Sequence, residues 1–180
     1  VAVAENAPML TLLMAWLALS AVSLVLGSAL VACAGWPPHI RTRDERLIAA
    51  CWLGLLGIAS IALAVAVWIP VQPWLLALPL LLLALPPVRR AAFENLPTAR
   101  NAASMLIIAI GLVPIQSNAS LLYDSALYHT QLTSWMANYG LPPGVGLLHY
   151  RMGFSSSWLA LAAAFDHGPL ASRMQNVVGG

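Results

Sequence analysis

Asp124 is the one carboxylate between Glu94 and Asp166, and it stands where a long apolar run gives way to polar sequence. A carboxylate at the edge of a membrane loses part of its hydration, which raises its pKa unless a cation is near. In that state it can act as a general base. Nearby in sequence are His129, His149 and Arg151, followed by the hydroxyls of Ser155, Ser156 and Ser157. Arg151 just ahead of a serine-capped helix start forms an anion clamp in outline. Guanidinium, backbone N–H groups and hydroxyls all favour phosphate oxygens. Each of these residues also has a plainer reading. Asp124 fits a helix boundary, Arg151 an interfacial anchor, and the histidines polar side chains at a membrane surface.

The elements that must carry these groups are short. In Ser125–Tyr139, Tyr128, Leu132, Trp135, Met136 and Tyr139 recur at helical spacing, with His129, Thr130, Gln131, Thr133, Ser134 and Asn138 between them. This pattern predicts an amphipathic helix, and its Trp and Tyr favour the headgroup level, where it would lie along the membrane surface. The run from Gly140 to Gly146, with Pro142 and Pro143 inside it, reads as a rigid turn followed by a permissive one. A second helix is expected over about 155–165. It is too short to span a bilayer, which makes it interfacial or re-entrant.

What lies ahead of these elements is set by scarcity of charge. Of 180 residues, 61% are hydrophobic and only 8% charged, with mean hydropathy +0.83. Soluble domains carry roughly 25% charge, which excludes an ordinary soluble enzyme, a disordered chain and a basic nucleic-acid binder; no nucleic acid is expected as a partner. The expected fold is all-α: a polytopic transmembrane helical protein with about four spans, its main partner the lipid bilayer. The first span lies within Met9–Ala34. Leu47 to Val88 is uncharged and would make a single helix about 63 Å long, so it must fold back. Pro70 and Pro73 mark the break, between spans at about 47–69 and 73–88. A fourth is expected over about 102–122, kinked at Pro114. The domain division expected is 1–101, with three spans and their loops, and 102–180, with the fourth span and the polar tail. All eight basic residues are arginines. Arg41, Arg43 and Arg46 fall between spans one and two, and Arg89, Arg90 and Arg100 between spans three and four. The positive-inside tendency places both loops in the cytoplasm and everything from Asp124 onward outside an inner membrane.

Other signals are weaker. Leu30–Cys33 resembles a lipoprotein cleavage box, but the preceding segment carries Glu5 and no base, against what a signal peptide requires. Cys33 and Cys51 fit small packing residues better than a disulfide or a zinc site. Ser23 with Gly27, and Gly54 with Gly57, permit close helix contact, as small residues do in many membrane helices. The sequon at Asn118–Ser120 sits too close to the fourth span for modification.

Tyr123-Asp124-Ser125-Ala126-Leu127-Tyr128-His129, then Trp135 through Tyr139-Gly140, Pro143-Gly144, Leu148-His149 and Arg151 through Trp158 resemble, in order and spacing, a stretch of large bacterial multispanning proteins. Those proteins are similar to the GT-C class of glycosyltransferases, which take sugars from polyprenyl-phosphate carriers at the extracytoplasmic face. The resemblance covers about 120–166. It implies that Asp124 is the catalytic acid of an external loop, that 125–139 and 155–165 are surface helices, and that Arg151 and His149 face the carrier phosphate. His129, Ser155 and Ser156 complete the candidate substrate contacts, and a polyprenyl-phosphate-linked sugar is the implied donor. A divalent metal occurs in the class, though one acid alone does not make a metal site. In that class the acid usually follows the first span and the chain is several hundred residues long. The expectation is therefore a truncated N-terminal portion whose C-terminal transmembrane helices are missing. The other readings are an envelope oligosaccharide polymerase or ligase, and a non-enzymatic membrane subunit or transporter component. Uncharged spans argue mildly against a transporter.

The topology has a direct check. In intact cells, a membrane-impermeant thiol reagent should label a Ser125→Cys variant and leave Arg89→Cys unlabelled; external labelling of Arg89→Cys overturns the orientation.

Overall fold

The computed structural model describes residues 7–37, 39–40, 42–117, 128–148, 150–153, 156–171 and 175–178. Asp124 and the sequon lie outside them. The first helix, α1 (Ala7–Ala34), runs through the uncharged N-terminal stretch and stops where Gly35 takes a positive φ of 79° ahead of Pro37. Helix α2 (Arg43–Ala66) starts at a capping box: Thr42 Oγ1 accepts from Glu45 N–H at 3.2 Å, and Thr42 N–H donates to Glu45 Oε2 at 2.9 Å. It ends before Pro70, four residues on.

The two helices are antiparallel neighbours, and glycine sets how close they come. A Cβ on Gly27 would overlap the carbonyl of Ala50, and one on Gly54 would overlap the carbonyl of Ser23. Each helix thus presents a glycine to the other's backbone, so the small residues noted in the sequence do form the contact. Around it pack Leu12, Leu19, Val22 and Leu26 of α1 with Ile58, Ala59, Ala62 and Ala66 of α2, all buried.

The segment expected to form a third helical span is built differently. Pro73–Leu76 and Leu78–Ala84 are 3₁₀ turns, and the chain then bends by 103° into α3 (Pro86–Glu94). Proline is the reason. Pro79 has no N–H to give and clashes with the carbonyl four residues earlier, so hydrogen bonds close over three residues instead, as in Leu75 N–H to Gln72 O and Leu80 N–H to Ala77 O. The Leu-rich composition remains, but at about 2.0 Å per residue these twelve residues stretch to about 24 Å. Leu85 is extended, as a residue before proline must be, and Pro86 opens α3. Helix α3 lays Val88 and Ala92 against the bundle and turns Arg89 and Arg90 outward.

Helix α4 (Ala99–Gln116) starts at Thr98, whose hydroxyl caps Asn101 N–H at 3.2 Å, and contains Pro114. It packs weakly: Val113 is its one buried residue, while Ile107, Ile108 and Ile115 are 60–70% exposed. Three helices, Met9–Ala34, Arg43–Ala66 and Ala99–Gln116, are long and apolar enough to cross a membrane; the bent Pro73–Glu94 pair raises the number to four if counted as one span. The protein is a helical membrane protein, and the described residues contain no strand.

Both arginine-bearing loops meet at one end of this bundle. Arg43 Nε–H donates to Leu96 O at 3.0 Å, Asn101 Nδ2 to Asp44 Oδ1 at 2.7 Å, and buried Asn95 Nδ2 to Ser28 Oγ at 3.3 Å. The 3₁₀ column therefore carries the chain from the Pro70 end back to the arginine end, as the charge pattern requires. Gly54→Ala forces α1 and α2 apart and is expected to cost about 1–3 kcal/mol. Gly111→Ala on α4, where a Cβ meets nothing within 4 Å, should be neutral or stabilising by up to about 1 kcal/mol. Thermal melts in detergent compare the two.

Candidate functional site

The polar tail folds back onto the end of the bundle opposite the arginines. Helix α5 (Thr130–Tyr139) is entered through a π-type turn at Tyr128 and His129. It buries Leu132, Thr133, Met136 and Ala137 completely, while Tyr128 and Trp135 pack at the edge of the core and Tyr139 is 76% exposed. The buried face is thus Leu-Thr-Met-Ala, and the aromatic stripe flanks it. The helix buries its apolar face on protein. Thr133 can be buried because its hydroxyl donates to the carbonyl of His129 at 2.7 Å.

The seat is the Pro70 turn. Val71 N–H donates to Met136 O at 2.9 Å, Gln72 Nε2 to Ala137 O at 3.0 Å, and Leu141 N–H to Ala66 O at 2.5 Å. Exposed carbonyls at the C-terminal ends of α2 and α5 are thereby satisfied by each other's neighbours. Gly140 permits the crossing: its φ is 83°, and a Cβ there would lie 2.8 Å from Ala66 O. His167 Nε2 reaches Val71 O at 3.2 Å from the opposite flank, in the geometry of a donated N–H.

Beyond Gly140 the chain forms α6 (Val145–Leu148), a 3₁₀ turn at Tyr150–Gly153, α7 (Ser157–Ala163), a 3₁₀ turn at Gly168–Leu170 and α8 (Gln175–Val178). Leu147, Leu148 and Tyr150 are strongly exposed. Helix α7 packs into the core. Ala160 to Phe165 are all buried, wedged against α2 and α5, and its small alanines allow the approach. Trp16 Nε1 donates to Val177 O at 3.0 Å, tying α8 to α1.

Of the sequence-derived candidates, His129 is half-buried at the start of α5, with its ring edge-on to Tyr128 at 4.3 Å between centroids. Ser156 is the N-cap of α7, its Oγ accepting from Leu159 N–H at 3.2 Å. Arg151 lies in the Tyr150–Gly153 turn, which fixes its backbone between α6 and α7. Asp124, His149 and Ser155 lie outside the described residues. No group of three or more His, Cys, Asp or Glu is placed to hold a metal among the described residues. What the sequence reading passed over is the clasp itself. Gln72 is the one amide side chain between Leu47 and Val88, and that isolation in an apolar run was its only signal.

A family model described as a domain of unknown function (DUF8201) matches residues 9–180, and the chain belongs to that family. No curated protein and no solved structure matches it.

Gln72→Leu leaves the carbonyl of Ala137 without its partner, and a buried polar group so orphaned costs about 1–3 kcal/mol. Faster proteolysis within 140–156 and a lowered melting temperature are expected. Ser156→Ala, which removes only a cap, should cost about 1 kcal/mol.

Proposed function

We propose that this DUF8201 member is part of an integral membrane glycosyltransferase-like protein that moves a sugar from a polyprenyl-phosphate carrier to an acceptor hydroxyl at the extracytoplasmic face. The observation that supports this reading is where the tail folds. After α4, the described chain packs onto the bundle end opposite the arginine loops, and His129, the Arg151 turn and Ser156 belong to that segment. If the arginine end is cytoplasmic, that segment is external, which fits a site for a lipid-linked substrate. The bent Pro73–Glu94 pair counted as one span gives four crossings and agrees with this orientation.

The chemistry asked of the site is small. Asp124, which follows α4 in the sequence, accepts the proton of the acceptor hydroxyl. The oxygen attacks the anomeric carbon as the bond from that carbon to the carrier phosphate oxygen breaks. Negative charge growing on the departing phosphate is met by Arg151, with His149 beside it, and the configuration at the anomeric carbon inverts. His129, Ser155 and Ser156 supply polar contacts to sugar or phosphate. The runner-up, an envelope oligosaccharide polymerase or ligase, uses the same lipid-linked donor and differs in transferring a preformed chain.

The test is transfer of radiolabelled sugar from a polyprenyl-phosphate donor in membranes of cells expressing the protein. Asp124→Asn should lower transfer by about 10²–10⁴-fold, the range of general base catalysis, with expression and insertion unchanged. Undiminished transfer removes Asp124 as the base.

A further inference from the structure

Between α1, α2, α3 and the loosely packed α4 lies an apolar cavity of about 850 Å³. This is within the roughly 300–1,000 Å³ range of pockets that enclose a small ligand. Its walls are side chains such as Leu17, Leu24, Leu55, Phe93, Met105 and Leu112. Along α1 it runs from Leu13 to Val25, about 18 Å at 1.5 Å per residue. One leaflet of hydrocarbon is about 15 Å deep. The cavity therefore has the reach of an acyl chain lying parallel to the helices.

Its two ends differ in charge. One end is bounded by Trp16, Trp158 and Val178. At the other, arginines adjoin the wall: Arg43 bonds the carbonyl of wall residue Leu96, and Arg46 precedes wall residue Leu47 on α2. The Arg46 guanidinium lies over the Trp36 ring, 5.8 Å from its centre, and its Nε is buried without a hydrogen-bond acceptor among the described residues. The acids of this end are engaged elsewhere: Asp44 by Asn101, Glu45 by the Thr42 backbone, and Glu94 by Arg90 at 2.8 Å. Arg43, Arg46 and Arg100 make no ion pair among the described residues. A polypeptide helix in the groove would leave these cations uncompensated, whereas a ligand with an anionic head and apolar tail matches both features.

We infer that the groove holds an anionic glycerophospholipid, its phosphate against Arg43 and Arg46 and an acyl chain between α1, α2 and α4. Basic pockets between membrane helices bind acidic headgroups in this manner. The lipid closes the gap that α4 leaves and fixes that helix on the bundle. The site is at the end opposite the proposed transfer chemistry and stands or falls independently of it.

Native mass spectrometry of the purified chain, titrated with dioleoyl phosphatidylglycerol or dioleoyl phosphatidylcholine, tests the inference. One phosphatidylglycerol should be retained about 25-fold more tightly than phosphatidylcholine, each arginine being worth about 5-fold. Arg43→Gln with Arg46→Gln should erase that preference. Arg90→Gln, which removes a cation already paired with Glu94, should leave it intact, and this separates a specific site from general surface charge. Ala109→Trp, which fills the groove from α4, should weaken retention of both lipids. Equal retention of the two lipids by the wild type overturns the inference, as does a preference untouched by the double variant. So does competition by free glycerophosphate, which would make the ligand a soluble anion, or a lipid-free dimer, which would make it a second copy.

Discussion

Everything in this protein is arranged around the contact in which Gly27 and Gly54 press each helix onto the backbone of the other. Membrane helices gain little from hydrophobic burial against one another, because lipid is as apolar as leucine. Their association depends on close packing, and close packing depends on what stands at the crossing. With two glycines there, α1 and α2 approach until carbonyls meet Cα atoms, and the side chains to either side interdigitate. The pair then acts as a rigid post. The 3₁₀ column and α3 lean on α1, and α7 leans on α2.

The post has two unlike ends, and each is held by polar bonds that apolar packing could not specify. At one end the loops are joined by Arg43 to Leu96, Asn101 to Asp44 and Asn95 to Ser28. At the other, the Pro70 turn and the C-terminus of α5 exchange backbone and amide hydrogen bonds, with His167 closing the far side. The second set holds the described tail against the spans, so that α5 and the Pro70 turn keep one geometry. Helix α4 is the contrast: apolar, barely packed among the described residues and flanked by a groove.

The charge pattern made the two ends legible before any coordinates. Six arginines in two loops had to lie on one side, and the loops that carry Arg43 and Arg100 meet at one end of the bundle. The capping box at Thr42 and Glu45, the break at Pro70 and the cap at Ser156 also follow from local chemistry, since each needs only residues a few positions apart. The candidate reactive groups were legible as types, an isolated carboxylate followed by histidines, an arginine and serines, because charge is so rare in this chain that any polar cluster stands out.

What composition and spacing could not settle were matters of long-range geometry. Pro79 and Pro86 were visible as breaks, but that the leucines between them would extend as a 3₁₀ column, and that the chain would then bend by 103°, depended on the neighbours available to pack against. The periodicity of 125–139 named an amphipathic helix yet not its seat, because an apolar face buried in lipid and one buried on α7 and the Pro70 turn carry the same pattern. Nor could spacing show that Gln72 would reach Ala137, or His167 reach Val71, across 65 and 96 residues of chain. The sequence by itself determined a membrane protein with arginines at one end and a polar tail at the other, since hydration and helix breaking are local. Only the tertiary structure decided how that tail is held, since a hydrogen bond between distant segments exists only once the fold has brought them together.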